Sequence, residues 1–201
     1  IEYQNSSFAK QYIDFVGNIY EKEKKTRSSS DLTQNVAKYL FKLMATKDEY
    51  EVARLSLKAE LDTAISQEFG KSAKINYMLH PPFLKAMENI PVLNMLPGVK
   101  SKLALGSWFK VFYVMLKNMK FLRGTPLDFM AWFSSDVRKA DNKALNHYKS
   151  ILTDNLDEIG NGKYQDLKEF SVLPDIIRGY EEVRLETMTE YYKKSDNLFK
   201  S

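Results

Sequence analysis

The residues of this chain whose types and spacing could do chemistry are arginines set beside carboxylates or glycines. In Tyr50-Glu51-Val52-Ala53-Arg54-Leu55, Glu51 and Arg54 stand three apart, which places them on one flank of a helix. They read first as an intrahelical ion pair. The sharper reading has Arg54 gripping a carboxylate or phosphate, whose shape its planar fork matches. In Leu122-Arg123-Gly124-Thr125-Pro126-Leu127-Asp128 a helix end is followed at once by a capped start, with Thr125 as N-cap and Pro126 as first helical residue. Such a corner presents backbone N–H groups to an anion, with Arg123 adjacent. The plainer reading is corner architecture, in which Asp128 closes the first turn and Arg123 covers the preceding carbonyls. Ile177-Arg178-Gly179-Tyr180 admits the same two readings. Lys100 and Lys102 read as a solvated flank, or as part of a loop where a ligand docks. The candidate anion-binding set is therefore Arg54, Lys100, Lys102, Arg123, Thr125 and Arg178. His80, before Pro81-Pro82, is a weaker acid–base candidate, because a lone loop histidine is more often structural.

Other chemistries find little support. No phosphate loop, dinucleotide fingerprint, nucleophile elbow or metal-ligand spacing occurs. The 201 residues include no cysteine, which removes disulfides, thiolate metal sites, cluster ligation and a thiol nucleophile together. With two histidines, a histidine-rich metal site is not expected either. The net charge of +4 is modest and the basic residues alternate with acids, so no nucleic-acid partner is expected. The most apolar window, Leu103 to Phe121, contains Lys110, Lys117 and Lys120. A span of roughly 20 residues would rarely carry three lysines, so the window reads as a buried core helix and no membrane partner is expected. A reducing, cytoplasmic setting fits.

The elements that must position these residues are mostly helices. Ser6 or Ser7 caps a first helix carrying Phe8, Tyr12, Phe15, Val16 and Ile19. It runs into Glu21-Lys22-Glu23-Lys24-Lys25 and an exposed Arg27–Ser30 loop. Ser30 or Asp31 caps a second, with Leu32, Val36, Leu40, Leu43 and Met44 on one face. A third stretch, Asp48 to Phe69, carries Val52, Leu55, Ala59, Ile65 and Phe69 and stops at Gly70. Whether the second and third are one rod bent near Thr46 stays open. Lys74 to Leu79 alternates like a short strand, whose expected partner is the Glu88–Lys102 loop or another part of a parent protein. Leu105, Trp108, Phe109, Phe112, Met115, Leu116 and Met119 form a wide apolar face able to centre the core. Helices continue to Ile159, break at Gly160-Asn161-Gly162, and resume to Leu173. A last helix follows Pro174, from about Asp175 to Phe199. The expected fold is mainly α, a multi-helix bundle-like domain with at most a short β-strand or hairpin near residues 74–79. With no initiator Met at Ile1, residues 1–201 read as a single helical accessory domain excised from a larger polypeptide.

Four segments in this order resemble one family. Asn35 to Leu55 (NVAKYLFKLMATKDEYEVARL), Lys102 to Trp108, Phe121 to Asp128 (FLRGTPLD) and Leu173 to Val183 (LPDIIRGYEEV) look like the C-terminal helical domain of indolepyruvate ferredoxin oxidoreductases, within the 2-oxoacid:acceptor oxidoreductase family. Tyr3-Gln4-Asn5 and Phe8-Ala9 look like its entrance, so the resemblance spans nearly the whole chain. It implies a parent enzyme that converts an arylpyruvate, coenzyme A and oxidised ferredoxin to an aryl-acetyl-CoA, CO2 and reduced ferredoxin. It implies thiamine diphosphate, magnesium and iron–sulfur clusters in other domains, and no cofactor in this segment. This chain would then be a non-catalytic scaffold or subunit-contact domain. Its partners would be other domains or subunits of the parent, with ferredoxin as the parent's acceptor and homo-oligomerisation left open. The rival reading is an anion or coenzyme-A-binding module contributing Arg54, Arg123 and Arg178 to the parent's substrate site, with Lys100 and Lys102. Departures stand at Ser56, where relatives tend to Tyr, at Asn76, Met78 and His80, and at Glu181-Glu182, where Gly-His is common. They mark a divergent relative, so the identity of the 2-oxoacid is not carried over.

Overall fold

A computed structural model describes residues 1–70, 74–79, 103–133 and 135–199. His80, Lys100, Lys102 and the expected Glu88–Lys102 loop lie outside the described residues. The fold is mainly α: α1 (Ser6–Thr26), α2 (Asp31–Met44), α3 (Glu49–Ser56), α4 (Ala59–Phe69), α5 (Lys110–Asn118), α6 (Phe129–Phe133), α7 (Ser135–Asp154), α8 (Tyr164–Val172) and α9 (Glu181–Phe199). Short 3-10 turns span Ser107–Phe109, Met119–Leu122, Leu156–Gly160 and Leu173–Ile176. Two three-residue strands, β1 (Tyr77–Leu79) and β2 (Leu103–Leu105), pair antiparallel with Met78 opposite Ala104. The strand's partner is thus the segment just beyond the expected loop. The chain forms two compact units, one from residues 1–46 and 136–201, the other from 47–135.

In the first unit α2 packs against α1 and α8. Leu32, Val36, Leu40 and Leu43 recur every three or four residues, and all are buried, as their spacing anticipates. Ala144, Tyr148 and Leu152 supply the matching stripe of α7, and Leu167, Phe170 and Tyr191 close the core. Several helix ends differ from the sequence reading. Asn5, not Ser6 or Ser7, caps α1: its backbone is extended and its side chain accepts the Phe8 N–H at 2.8 Å. Ser30 holds the N-cap position of α2, but its side chain bonds no backbone N–H. The last helix begins at Glu181 instead of Asp175, because Leu173–Ile176 tightens into a 3-10 turn and Gly179 follows with φ +79°. A Cβ on Gly179 would lie 2.6 Å from Val183 Cγ1, so both backbone angle and space call for glycine.

The second unit has a smaller core of Tyr50, Ala53, Phe109, Tyr113, Leu116 and Met130. The expected third helix is two, broken at Leu57–Lys58, and α2 and α3 are separate helices. Its buried face is Tyr50 and Ala53; Val52 and Leu55 are half-buried and Phe69 is exposed. The buried face thus lies about one helical position away from the expected Val52–Leu55 stripe, with the Tyr50 ring turned into the core. The Leu103–Phe121 window is a strand, a 3-10 turn and α5 in succession, and only part of it is buried. Phe109 and Leu116 face the core, while Trp108 and Met115 are exposed, so this face centres the smaller core and not the larger.

Candidate functional site

A constellation of charged side chains in the second unit is built on the first turn of α3. Asp48 has extended backbone, and its Oδ1 accepts the Glu51 N–H at 2.9 Å, an N-cap. The same carboxylate receives the Arg123 fork, Nη2 on Oδ1 at 2.8 Å and Nε on Oδ2 at 2.5 Å. Both side chains are almost out of water, Arg123 at 10% and Asp48 at 7% exposure. Two residues on, the Tyr50 hydroxyl donates to Asp128 Oδ1 at 2.9 Å. Asp128 also accepts the Gly124 N–H on Oδ2 and caps α6 through the Ala131 N–H. Each aspartate therefore caps one helix while binding a group from elsewhere. Together they clasp the Leu122–Asp128 corner onto α3. The Arg123 guanidinium sits 5.6 Å from the Tyr50 ring centre, adding a cation–π contact.

Arg54 lies one turn further along α3, its fork on Glu51 at 2.8 and 2.7 Å. This is the intrahelical pair that the spacing of three suggested. Asp48 draws the Arg123 fork across to α3. The corner does not present its N–H groups outward. Gly124 donates to Asp128, Thr125 to the Leu122 carbonyl, Leu127 to Thr125 Oγ1 and Asp128 to the Thr125 carbonyl. Thr125 is exposed, and helix α6 begins at Phe129 rather than Pro126. Gly124 takes φ +76°, which lets the chain turn between Arg123 and Thr125.

Arg178 belongs to the first unit. Its Nη2 donates to Asp175 Oδ2 at 2.5 Å and its Nε to the Asp175 carbonyl at 2.9 Å. That bond, with Lys42 nearby, holds the Asp175 carboxyl below the usual carboxylate range. Lys42 donates to the Pro174 and Asp175 carbonyls, closing the 3-10 turn.

Two groups escaped the sequence reading. Glu23, in the charge run Glu21–Lys25 at the end of α1, is 0% exposed. Its carboxylate accepts the Leu32 and Thr33 N–H groups at 3.0 and 2.9 Å, the Thr33 hydroxyl at 2.5 Å and the Tyr164 hydroxyl at 2.8 Å. It supplies the cap of α2 that Ser30 does not. His147 pairs through Nε2 with Ser195 Oγ at 3.0 Å and lies edge-on to Tyr191 and Tyr192. Burial lowers its pKa below the usual 6.5, against the pull of Asp196 and with help from Lys143. A lowered histidine favours folding while neutral, so this contribution is present above the ordinary value and lost as pH falls. Going from about pH 7.5 to about pH 5.5 should lower the urea midpoint of this unit, and His147→Gln should flatten that decline.

Among the described residues no group of three or more His, Asp or Glu could hold a metal ion. Among the same residues no helix is long and apolar enough to cross a membrane. Fold and clasp together define a mainly α domain whose prominent arginines are bound by its own carboxylates. The chain belongs to a family of unknown function, DUF6537, whose model matches residues 1–197. No curated protein and no solved structure matches it.

Proposed function

We propose that this chain is a non-catalytic helical scaffold or subunit-contact domain of an indolepyruvate-type 2-oxoacid:ferredoxin oxidoreductase, working in the cytoplasm. The observation that carries the scaffold role is the inward turn of Arg54 and Arg123 onto Glu51 and Asp48. These arginines lie in the two motifs, KDEYEVARL and FLRGTPLD, that carry the resemblance. The motifs therefore encode the clasp between α3 and the corner, and a ligand would have to displace a buried carboxylate to reach either fork. In this reading thiamine diphosphate, magnesium and the iron–sulfur clusters belong to other domains, and ferredoxin docks there.

The test is arylpyruvate- and coenzyme-A-dependent reduction of an electron acceptor by the parent enzyme, with and without this segment, at varied coenzyme A. The expected result is loss of assembled, active enzyme with no change in the coenzyme A requirement of what remains. Retained assembly with a sharply raised coenzyme A requirement would replace the scaffold with the arginine-lined binding module. Normal assembly and turnover without the segment would refute both.

A further inference from the structure

Helix α7 turns its apolar stripe to the core and its outer flank is made of hydrogen-bond donors. That flank carries a shallow pocket of about 620 Å³ lined by Lys139, Asn142, Lys143, Asn146, His147 and Ser150. The six fall in two rows that repeat every four residues: Lys139, Lys143 and His147, then Asn142, Asn146 and Ser150. Four residues advance a helix by about 6 Å, so neighbours along a row share one face. Every lining side chain can donate a hydrogen bond, and no carboxylate is among them. Asp136, 4.0 Å from Lys139, and Asp154, which accepts from Ser150 at 2.8 Å, stand at its two ends. Asp196 pulls on His147 from α9, and Asp141 binds Arg184 at 2.7 Å. In the middle, Lys139 and Lys143 stand four apart, a like-charge pair that destabilises a helix unless an anion bridges it. Asn142 and Asn146 are exposed, and neither amide has a hydrogen-bond partner among the described residues.

The inner wall gives a second, independent sign. Tyr192 of α9 lies against the lining, its ring centre 5.4 Å from the Lys143 ammonium and 5.1 Å from the His147 ring. Its buried hydroxyl has no partner among the described residues, and neither has that of the fully buried Tyr191. Buried hydroxyls are nearly always bonded, and an orphan calls for a group that the protein does not itself supply.

The lining narrows that group to a dianion. A phosphate monoester carries nearly two negative charges at neutral pH and three strong acceptor oxygens, a match for two ammonium groups and two amides. A carboxylate brings one charge and two oxygens and would leave one lysine unmatched. We propose that the outer flank of α7 is a binding site for a phosphate monoester, with Lys139 and Lys143 as countercharges and Asn142 and Asn146 as donors. The site lies in the first unit and goes beyond the scaffold reading without resting on it.

Lysine acylation in the full-length protein, read by peptide mass spectrometry, reports the site residue by residue, with the exposed Lys193 as control. Glycerol 3-phosphate at about 10 mM should slow acylation of Lys143 at least about fivefold, the factor 1 + [L]/Kd reached when the probe stands at about four times its Kd. Lys139 should slow with it, and Lys193 should not change. Acetate at the same ionic strength should protect neither lysine. The double variant Asn142→Ala with Asn146→Ala keeps every charge and should cut the Lys143 protection below about twofold. Vesicles of phosphatidic acid present the same monoester on a lipid surface. Protection by them and not by glycerol 3-phosphate would keep the monoester and assign it to a headgroup.

Unchanged Lys143 rates with both probes overturn the proposal, as does equal protection by acetate, which would mark screening alone. Protection that survives the loss of both asparagines also overturns it, because two lysines on a solvated face would then account for the effect. Footprinting at α7 is independent of assembly and turnover. Its failure leaves the scaffold reading standing, and a failed scaffold test leaves the site.

Discussion

Replacing Glu23 with leucine should destabilise the first unit by about 3–5 kcal/mol, a large fraction of the stability of an ordinary domain. The carboxylate sits at the junction of α1, α2 and α8 and accepts four hydrogen bonds. The Thr33 hydroxyl can rotate to another acceptor, and Tyr164 keeps its contact with Ser29. The Leu32 and Thr33 N–H groups have no such freedom, being the first unsatisfied donors of α2, buried where water cannot replace Glu23. Each stranded donor costs about 1–3 kcal/mol, and the α2 N-terminus also loses the negative charge its dipole favours. Glu23→Gln keeps the size and one acceptor but turns an NH2 toward donors, so about half the loss is expected. Both tryptophans, Trp108 and Trp132, lie in the other unit, so their fluorescence does not report this one. Urea unfolding followed by tyrosine near-ultraviolet circular dichroism does, together with hydrogen exchange at Leu32 and Thr33. A Glu23→Leu loss under about 1 kcal/mol would show that the carboxylate is not the cap.

The second large effect is expected at Arg123. Arg123→Met should lower the stability of the second unit by about 3–4 kcal/mol, because it leaves the Asp48 carboxylate buried with no countercharge. Arg123→Lys should cost about 1–2 kcal/mol, since an ammonium cannot reproduce two parallel bonds from a planar fork. The informative variant is the double one, Arg123→Met with Asp48→Ser. Serine still caps α3, and with both charges gone neither is stranded. The double variant should be more stable than Arg123→Met alone, with a coupling of about 1.5 kcal/mol or more. Tryptophan fluorescence reports this unit directly. Strict additivity would mean that the two side chains are neighbours without being partners.

The Glu51–Arg54 pair was legible because its geometry is local: three residues on a helix fix the distance between side chains whatever the rest of the chain does. The Arg123 partner was not, because Asp48 lies 75 residues away and nothing local links them. A signal for Asp48 did exist. Asp48 followed by Glu51 has the spacing of a helix N-cap, and it would have moved the start of the third helix from a boundary to a bonded residue. Glu23 had no signal at all. Between Lys22 and Lys24 it has the composition of a solvated face, and only the docking of α2 and α8 against α1 takes it out of water.

The sequence by itself determined the class of fold, the absence of any thiol chemistry, and the positions of most helices. The α2 stripe from Leu32 to Leu43 and the breaks at Gly160–Gly162 and Pro174 needed nothing beyond helical periodicity and backbone sterics. Tertiary structure alone decided where the long-range partners are. It set the split of the third helix, the phase of its buried face, and the pairing of β1 with β2. It also decided whether each arginine turns inward or outward. The physical reason is one of range. Periodicity and capping act over about four residues, whereas a carboxylate is matched to its donors by packing, which brings residues together without regard to their separation in sequence.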